Sequence, residues 1–237
     1  MGAEAVASGA ASDLRRKIGF VLPRLLEASD GLLTHPLVRK LYPEYLFTSH
    51  CVIRASVPLM ETAKARAEEL APADPVAASL APYLEQHIPE ELDHDEWLLE
   101  DLEVLGFDRA DVLLRPPSPT VAALVGAQYY WIFHYHPVAL LGYIAVFEGY
   151  PPSPDMVDRL IASTGYSRDA FRTMIGHAEL DPGHRDELDR LLDGLAPTRE
   201  QSTVIGLSAM YSVDAFASAI DEVVEEVPAV SRVSDAP

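Results

Sequence analysis

Two stretches of the chain carry imidazoles and a carboxylate at the same spacing: His87-x3-Glu91-x2-His94 and His177-x3-Asp181-x2-His184. At about 100° per residue, positions i, i+4 and i+7 of an α-helix fall within roughly one 60° sector. The spacing therefore predicts that each triplet aims two imidazoles and a carboxylate at one point. Nitrogen and oxygen ligands of this kind suit iron, zinc, copper or manganese, and two such faces opposed across a helical core could hold one or two ions. Glu148 adds a further carboxylate at the end of the apolar run Gly142-Tyr-Ile-Ala-Val-Phe147. Unpaired and buried, it would cost several kcal/mol or take up a proton, and a metal ion removes that penalty. The plainer alternatives are a helix-end Glu148 facing water and a solvated face for Glu91 and His94, which lie in the acidic run Glu90-Glu-Leu-Asp-His-Asp-Glu96.

The elements that must position these residues read as helices separated by proline and glycine, without an alternating strand pattern. Ser12 is expected to cap a first helix to about Ala28. A short piece over Pro36 to Tyr42 precedes a long helix from Pro43 to Leu70. After the break at Ala71-Pro-Ala-Asp-Pro75, one helix from Val76 carries the first triplet and stops at Gly106. An apolar helix from Thr120 ends near Glu148, and Asp155 to Thr164 forms a short one. The second triplet follows on a helix opened by Ser167 or Thr164, and Thr198 caps a last helix to about Glu226. Pro89 and Pro182 fall inside the two triplets, and each favours a kink there. The sum is an all-α fold of seven or eight helices in a single domain over residues 12–226, with tails at 1–11 and 227–237.

A chain of 237 residues, 49% hydrophobic and 23% charged, can bury one sizeable core. The formal net charge of -19 repels nucleic acid and anionic membranes, which excludes both as natural partners. Cys51 stands alone, so no intrachain disulfide can form, and residues 1–12 lack the basic start and apolar run of a secretory signal. A cytoplasmic protein is expected. The stretch from Thr120 to Phe147 is long and uncharged enough to be taken for a membrane span, but Gln128, His134, His136 and Pro137 interrupt it, and a buried central helix is the better reading.

Three segments together, His87-Ile-Pro-Glu-Glu-Leu-Asp-His94 with Trp97-Leu-Leu-Glu-Asp-Leu102 behind it, Gly142-Tyr143 through Phe147-Glu148-Gly149, and His177-Ala-Glu-Leu-Asp181-Pro-Gly-His184, resemble in order and separation the heme-oxygenase-like diiron oxidases and oxygenases, a family of iron-containing redox enzymes. The resemblance covers about Pro75 to Leu195. It implies a heme-oxygenase-like bundle with two iron(II) ions held by Glu91, His94, Glu148, His177, Asp181 and His184. It also implies dioxygen as co-substrate, a peroxo-level intermediate, an external source of electrons where the reaction needs one, and a small-molecule substrate. Some members of the family place a glutamate where this chain has His87, so His87 is expected to orient a carboxylate or to pack in the core, with direct ligation as the alternative.

The resemblance further implies oxidative cleavage, desaturation or cyclisation of a small amino-acid-like substrate in specialised biosynthesis. N-oxygenation, fatty-acid decarboxylation and a non-catalytic metal-binding role are the competing outcomes. Arg54, a lone cation among Cys51-Val-Ile and Ala-Ser-Val-Pro58, is a candidate partner for a substrate carboxylate, and His134 for the lining of a pocket. A ferritin-like site would show two Glu-x2-His motifs, whereas the second motif here has aspartate and an upstream histidine. A homodimer is a further expectation.

Overall fold

In the computed structural model, residues 9–226 are described, and they form eleven α-helices, two 3₁₀ turns and no β-strand. In chain order the helices are α1 (Ala10–Leu33), α2 (Val38–Ile53), α3 (Ser56–Leu70), α4 (Pro75–Glu91), α5 (His94–Val104), α6 (Arg109–Leu114), α7 (Pro119–His134), α8 (Leu140–Phe147), α9 (Pro154–Thr164), α10 (Arg172–Gly194) and α11 (Arg199–Glu226). The 3₁₀ turns are Pro137–Ala139 and Arg168–Phe171.

α11 organises the bundle, lying along α1 and α8 and against α7. Thr198 opens it as expected, through a reciprocal pair in which Gln201 N donates to Thr198 Oγ1 at 3.1 Å and Thr198 N donates to Gln201 Oε1 at 2.9 Å. The crossing of α8 over α11 depends on Gly142, since a Cβ there would lie 2.2 Å from the Ile205 carbonyl oxygen. α2 packs on α5, α3 on α4, and α10 on both α1 and α5, so the helices bearing the two triplets meet in the interior.

The described residues hold eleven helices where seven or eight were expected, with α1 running past Ala28 to Leu33, α2 starting at Val38 and α6 additional, and the boundaries depart most from expectation at four places. α1 begins at Ala10 rather than Ser12, and Ala11 N donates to Asp193 Oδ1 at 2.9 Å, which ties the end of the expected N-terminal tail to α10. The rest of that tail, 1–8, and the C-terminal 227–237 lie outside the described residues. The long helix expected from Pro43 to Leu70 is two helices, parted at Arg54 and Ala55. The stretch from Thr120 to Glu148 is broken at Tyr135 and His136 into α7 and the short, buried α8, so neither is the central helix that the apolar run suggested. That place belongs to α11, the described helix long and apolar enough to span a bilayer, which is mostly buried inside the protein.

The fourth break falls in the first triplet. α4 ends at Glu91, Leu92 is extended, and Asp93 takes a left-handed conformation at φ 67° before α5 starts at His94. The continuous helical face expected for His87, Glu91 and His94 is thus replaced by two helix ends meeting at a turn.

His50 on α2 is fully buried and neither ring nitrogen has a hydrogen-bond partner. Burial, reinforced by the charge of Arg54, lowers its pKa from 6.5 to about 4. The folded chain keeps His50 neutral, whereas the unfolded chain protonates it below about pH 6.5. Between these values the unfolded state binds more protons, so stability falls as the pH drops from 6.5 towards 4. His50→Leu is expected to flatten that limb of the stability profile in urea titrations at successive pH values. Gly142→Ala is expected to cost about 1–3 kcal/mol by forcing α8 off α11, read as a lowered urea midpoint with an unchanged slope.

Candidate metal centre

Four helices converge on one buried cluster of carboxylates and imidazoles. The last two turns of α4 supply His87, Glu90 and Glu91, the first residue of α5 supplies His94, and Glu148 closes the C-terminal end of α8. α10 runs unbroken through His177, Asp181 and His184, so the second triplet does share one helical face. Glu91 is 8%, Glu148 6%, His94 3% and Asp181 1% exposed, with the rings of Tyr83 and Trp97 packed on His87 and His94.

Glu91 is the hub. Its Oε2 lies 3.1 Å from His94 Nδ1 and its Oε1 3.2 Å from His184 Nδ1. Glu148 Oε1 meets His87 Nε2 at 2.9 Å, and the other ring nitrogen of His87 reaches Glu90 Oε2 at 3.3 Å. His94 and His177 stand edge to face at 5.0 Å, as do His87 and His184 at 5.1 Å. Potential ligand atoms come within 4.8 Å of one another in three groups: Glu91 with His94 and His177, His87 with Glu91 and Glu148, and His87 with Glu90 and His184. His177 Nδ1 donates to the Thr173 carbonyl at 2.9 Å, which fixes the ring and leaves Nε2 available.

Several of these atoms are left without a hydrogen bond. Glu148 Oε2 and both oxygens of Asp181 are buried with no partner, and Glu91 Oε1 and His184 Nδ1 face each other at 3.2 Å outside hydrogen-bond geometry. Burial, together with the nearby charges of Glu148 and Glu91, drives the Asp181 carboxyl up to about 8. Burial also raises Glu148 and lowers His177. On His87 burial opposes a charge, but the hydrogen bond and charge of Glu148, with Glu91 and Glu90, outweigh it and lift the imidazole to about 9. Three converging carboxylates with four oxygens that accept no hydrogen bond are costly in a protein interior and are the donor set that a hard or borderline cation satisfies.

A cavity of about 240 Å³ ends on His177 and Asp181. It runs from buried Val52, Leu98, Val146 and Thr173 outwards to Leu26, Pro151 and Pro152.

The profile of the iron-containing redox enzyme family matches residues 70–216, a span that contains all six expected ligands. The chain belongs to that family. Its fold is that of a domain of unknown function with a heme oxygenase-like fold from Shewanella denitrificans, with a TM-score of 0.77 at 20% identity over 90% of this chain and 91% of that one. A TenA homolog from Pseudomonas syringae pv. tomato superposes with a TM-score of 0.70 at 13% identity, covering 95% of this chain and 98% of the other. No curated protein matches the sequence.

Within this iron-containing redox enzyme the structure brings His87, Glu91, His94, Glu148, His177 and His184 together, with Asp181 close enough to feel two of the carboxylates. It does not bring Arg54 or His134 to the cavity, whose described lining includes neither. Arg54 ends α2, its backbone N–H donating to the His50 carbonyl at 3.0 Å, and His134 is exposed on the last turn of α7 against Tyr130 at 4.8 Å. Cys51 is buried, its thiol pushed up by burial, and it borders a separate cavity beside Arg115. That environment makes it a poor nucleophile.

Three residues beside the cluster take roles that the sequence analysis did not assign. Glu90 joins His87 and His184. Trp97 stacks on His94 at 4.3 Å and meets His177 at 6.0 Å, and a Cβ at Gly176 would come within 2.9 Å of its ring. Asp101 on α5 is fully buried and caps α10 from a distance, its Oδ1 accepting from Arg172 N at 2.9 Å and its Oδ2 from Thr173 N at 3.1 Å. Those bonds pin the turn from which His177 projects. Asp101→Ala is expected to cost about 1–2 kcal/mol, as loss of a helix cap does, with amide exchange accelerating first at residues 172–177.

Proposed function

We propose that this iron-containing redox enzyme is a non-heme oxidase or oxygenase that uses dioxygen, with two iron(II) ions held by Glu91, His94, Glu148, His177, Asp181 and His184. The observation that carries the reading is the set of buried donor atoms on Glu91, Glu148, Asp181 and His184 that make no hydrogen bond, gathered behind the His177 and Asp181 end of an apolar cavity. Three carboxylates and three neutral imidazoles leave a modest positive charge on two iron(II) ions and suit their mixed oxygen and nitrogen preference.

Bound iron(II) would supply the reduction of dioxygen and the oxidation of a small organic molecule held beside it. The chain does the rest. His87 holds Glu148 through its 2.9 Å contact and so fixes the direction of that carboxylate. The Thr173 carbonyl holds His177, and Asp101 holds Thr173 in turn. Leu98, Val146 and Val52 keep water from the inner cavity, where the oxidising event meets only substrate. Where a desaturation gives two of the four electrons that dioxygen needs, an external reductant provides the other two. In this arrangement His87 orients a carboxylate and is not itself a ligand.

Anaerobic loading with iron(II) followed by metal analysis is expected to find about two irons per chain. Glu148→Ala and His177→Ala are expected to fall to one or none, and both to abolish oxygen uptake. His87→Gln is expected to keep most of the iron while slowing oxygen consumption at least tenfold. Binding of fewer than one iron, unchanged by Glu148→Ala and His177→Ala, would overturn the proposal. Full iron loading with no oxygen uptake in the presence of any reductant or organic compound would favour a non-catalytic metal protein instead.

A further inference from the structure

Between Arg115 and Glu148 the sequence contains no aspartate, glutamate, lysine or arginine, although these make up 23% of the chain and give it a net charge of -19. Within that run α8 is buried, but α7 lies at the surface and turns Pro119, Ala122, Ala123, Gly126, Tyr130 and Phe133 to solvent along one face. Tyr130 is 63% and Phe133 58% exposed. The apolar strip widens across the seam with α11, where Trp131 meets Tyr211 edge to face at 5.8 Å, to the exposed Leu207 and Met210. Gly126 stands in the middle of α7, where glycine weakens a helix relative to alanine. A Cβ at Gly126 would meet nothing within 4 Å, so packing inside the chain does not call for glycine there, as it does at Gly142. A second backbone approaching from outside does.

We propose that this strip is a homodimer interface, in which α7 packs antiparallel on α7 of a second copy about a twofold axis at Gly126. An isologous contact must be complementary to itself. The first half of the strip is small, at Ala122 and Ala123, and the second half is large, at Tyr130 and Phe133. The twofold lays Tyr130 on the partner's Ala122 and Phe133 on the partner's Pro119, and the reverse, so bulk meets space at both ends. Two copies of a chain at -19 repel one another, and a charge-free face is where they can meet with least opposition. The exposed aromatic, aliphatic and small side chains offer roughly 600 Å² from each copy, about 1,200 Å² for the pair, which is within the range of specific dimers. A lipid surface suits the face less well, because no lysine or arginine stands along the run to hold headgroups.

Sedimentation and light scattering on the full chain at micromolar concentration are expected to give the mass of a dimer, and added salt to tighten it severalfold by screening the repulsion. Tyr130→Glu is expected to weaken association at least a hundredfold while helix content and thermal midpoint stay unchanged. Gly126→Cys is expected to cross-link to itself on mild oxidation, since Cys51 is buried and cannot compete. Phe20→Cys, equally exposed on α1, is expected to remain uncross-linked. A monomer at every concentration, a dimer indifferent to Tyr130→Glu, or cross-linking through Phe20→Cys in place of Gly126→Cys would overturn the proposal. So would a monomer that floats with phosphatidylcholine vesicles and is released by Tyr130→Glu, which would assign the strip to a membrane surface.

Discussion

Everything in this molecule is arranged around the electrostatic difficulty of holding Glu91, Glu148 and Asp181 together away from water. Like charges at such separations, in a medium less polar than water, oppose one another strongly, and hydrogen bonds from the chain satisfy only part of their oxygens. Imidazoles on three of the four surrounding helices approach this acidic centre, and His87 bridges two carboxylates with its two nitrogens. The fold tolerates the arrangement because the surrounding bundle is dense with aliphatic contacts. α11 and α1 form its spine, and the close approach at Gly142 holds α8, and with it Glu148, against that spine.

The second tier of contacts turns four separate helix segments into one device. Asp101 satisfies the amide donors at the start of α10, so α5 and α10 are joined by backbone hydrogen bonds as well as by packing. Trp97 then fills the space between His94 and His177 because Gly176 offers no side chain to obstruct it. On the far side of the molecule Asp74 does comparable work. It caps α4 through Val76 N and Ala77 N, and its other oxygen gathers His136 and Gln201 at 3.1 Å each. That knot joins the starts of α4 and α11 to the turn between α7 and α8.

Much of the helical architecture is legible in the sequence because prolines, glycines and caps punctuate it: Gly106 and Thr198 act where the sequence analysis places them, and the proline-rich breaks precede α4 and α9, which Asp74 and Ser153 cap. Arg54-Ala55 contains neither proline nor glycine, and tertiary packing decides that break, whereas the break at Tyr135-His136 stands directly before Pro137, a signal outweighed by the apolar run on either side. The site is legible to the extent that its residues repeat along one helix, as His177, Asp181 and His184 do. Glu90 is hidden inside an acidic run, and Asp101 acts only through a segment some seventy residues away. The expectation for Arg54 rested on the idea that a lone arginine needs an anion, whereas the structure places it at the end of α2, outside the lining of the cavity.

The turn at Asp93 makes the two halves of the centre mechanically unlike. His177, Asp181 and His184 ride on one rod, and any shift of that rod moves all three by related amounts. Glu91 and His94 stand on opposite sides of a two-residue joint whose dihedral angles are not tied by helical hydrogen bonds. The pair can change its spacing at the expense of those few torsions while the rod stays still. One wall of the centre is therefore stiff and the other compliant, and adjustment to ions of different radius or charge is concentrated at α4 and α5.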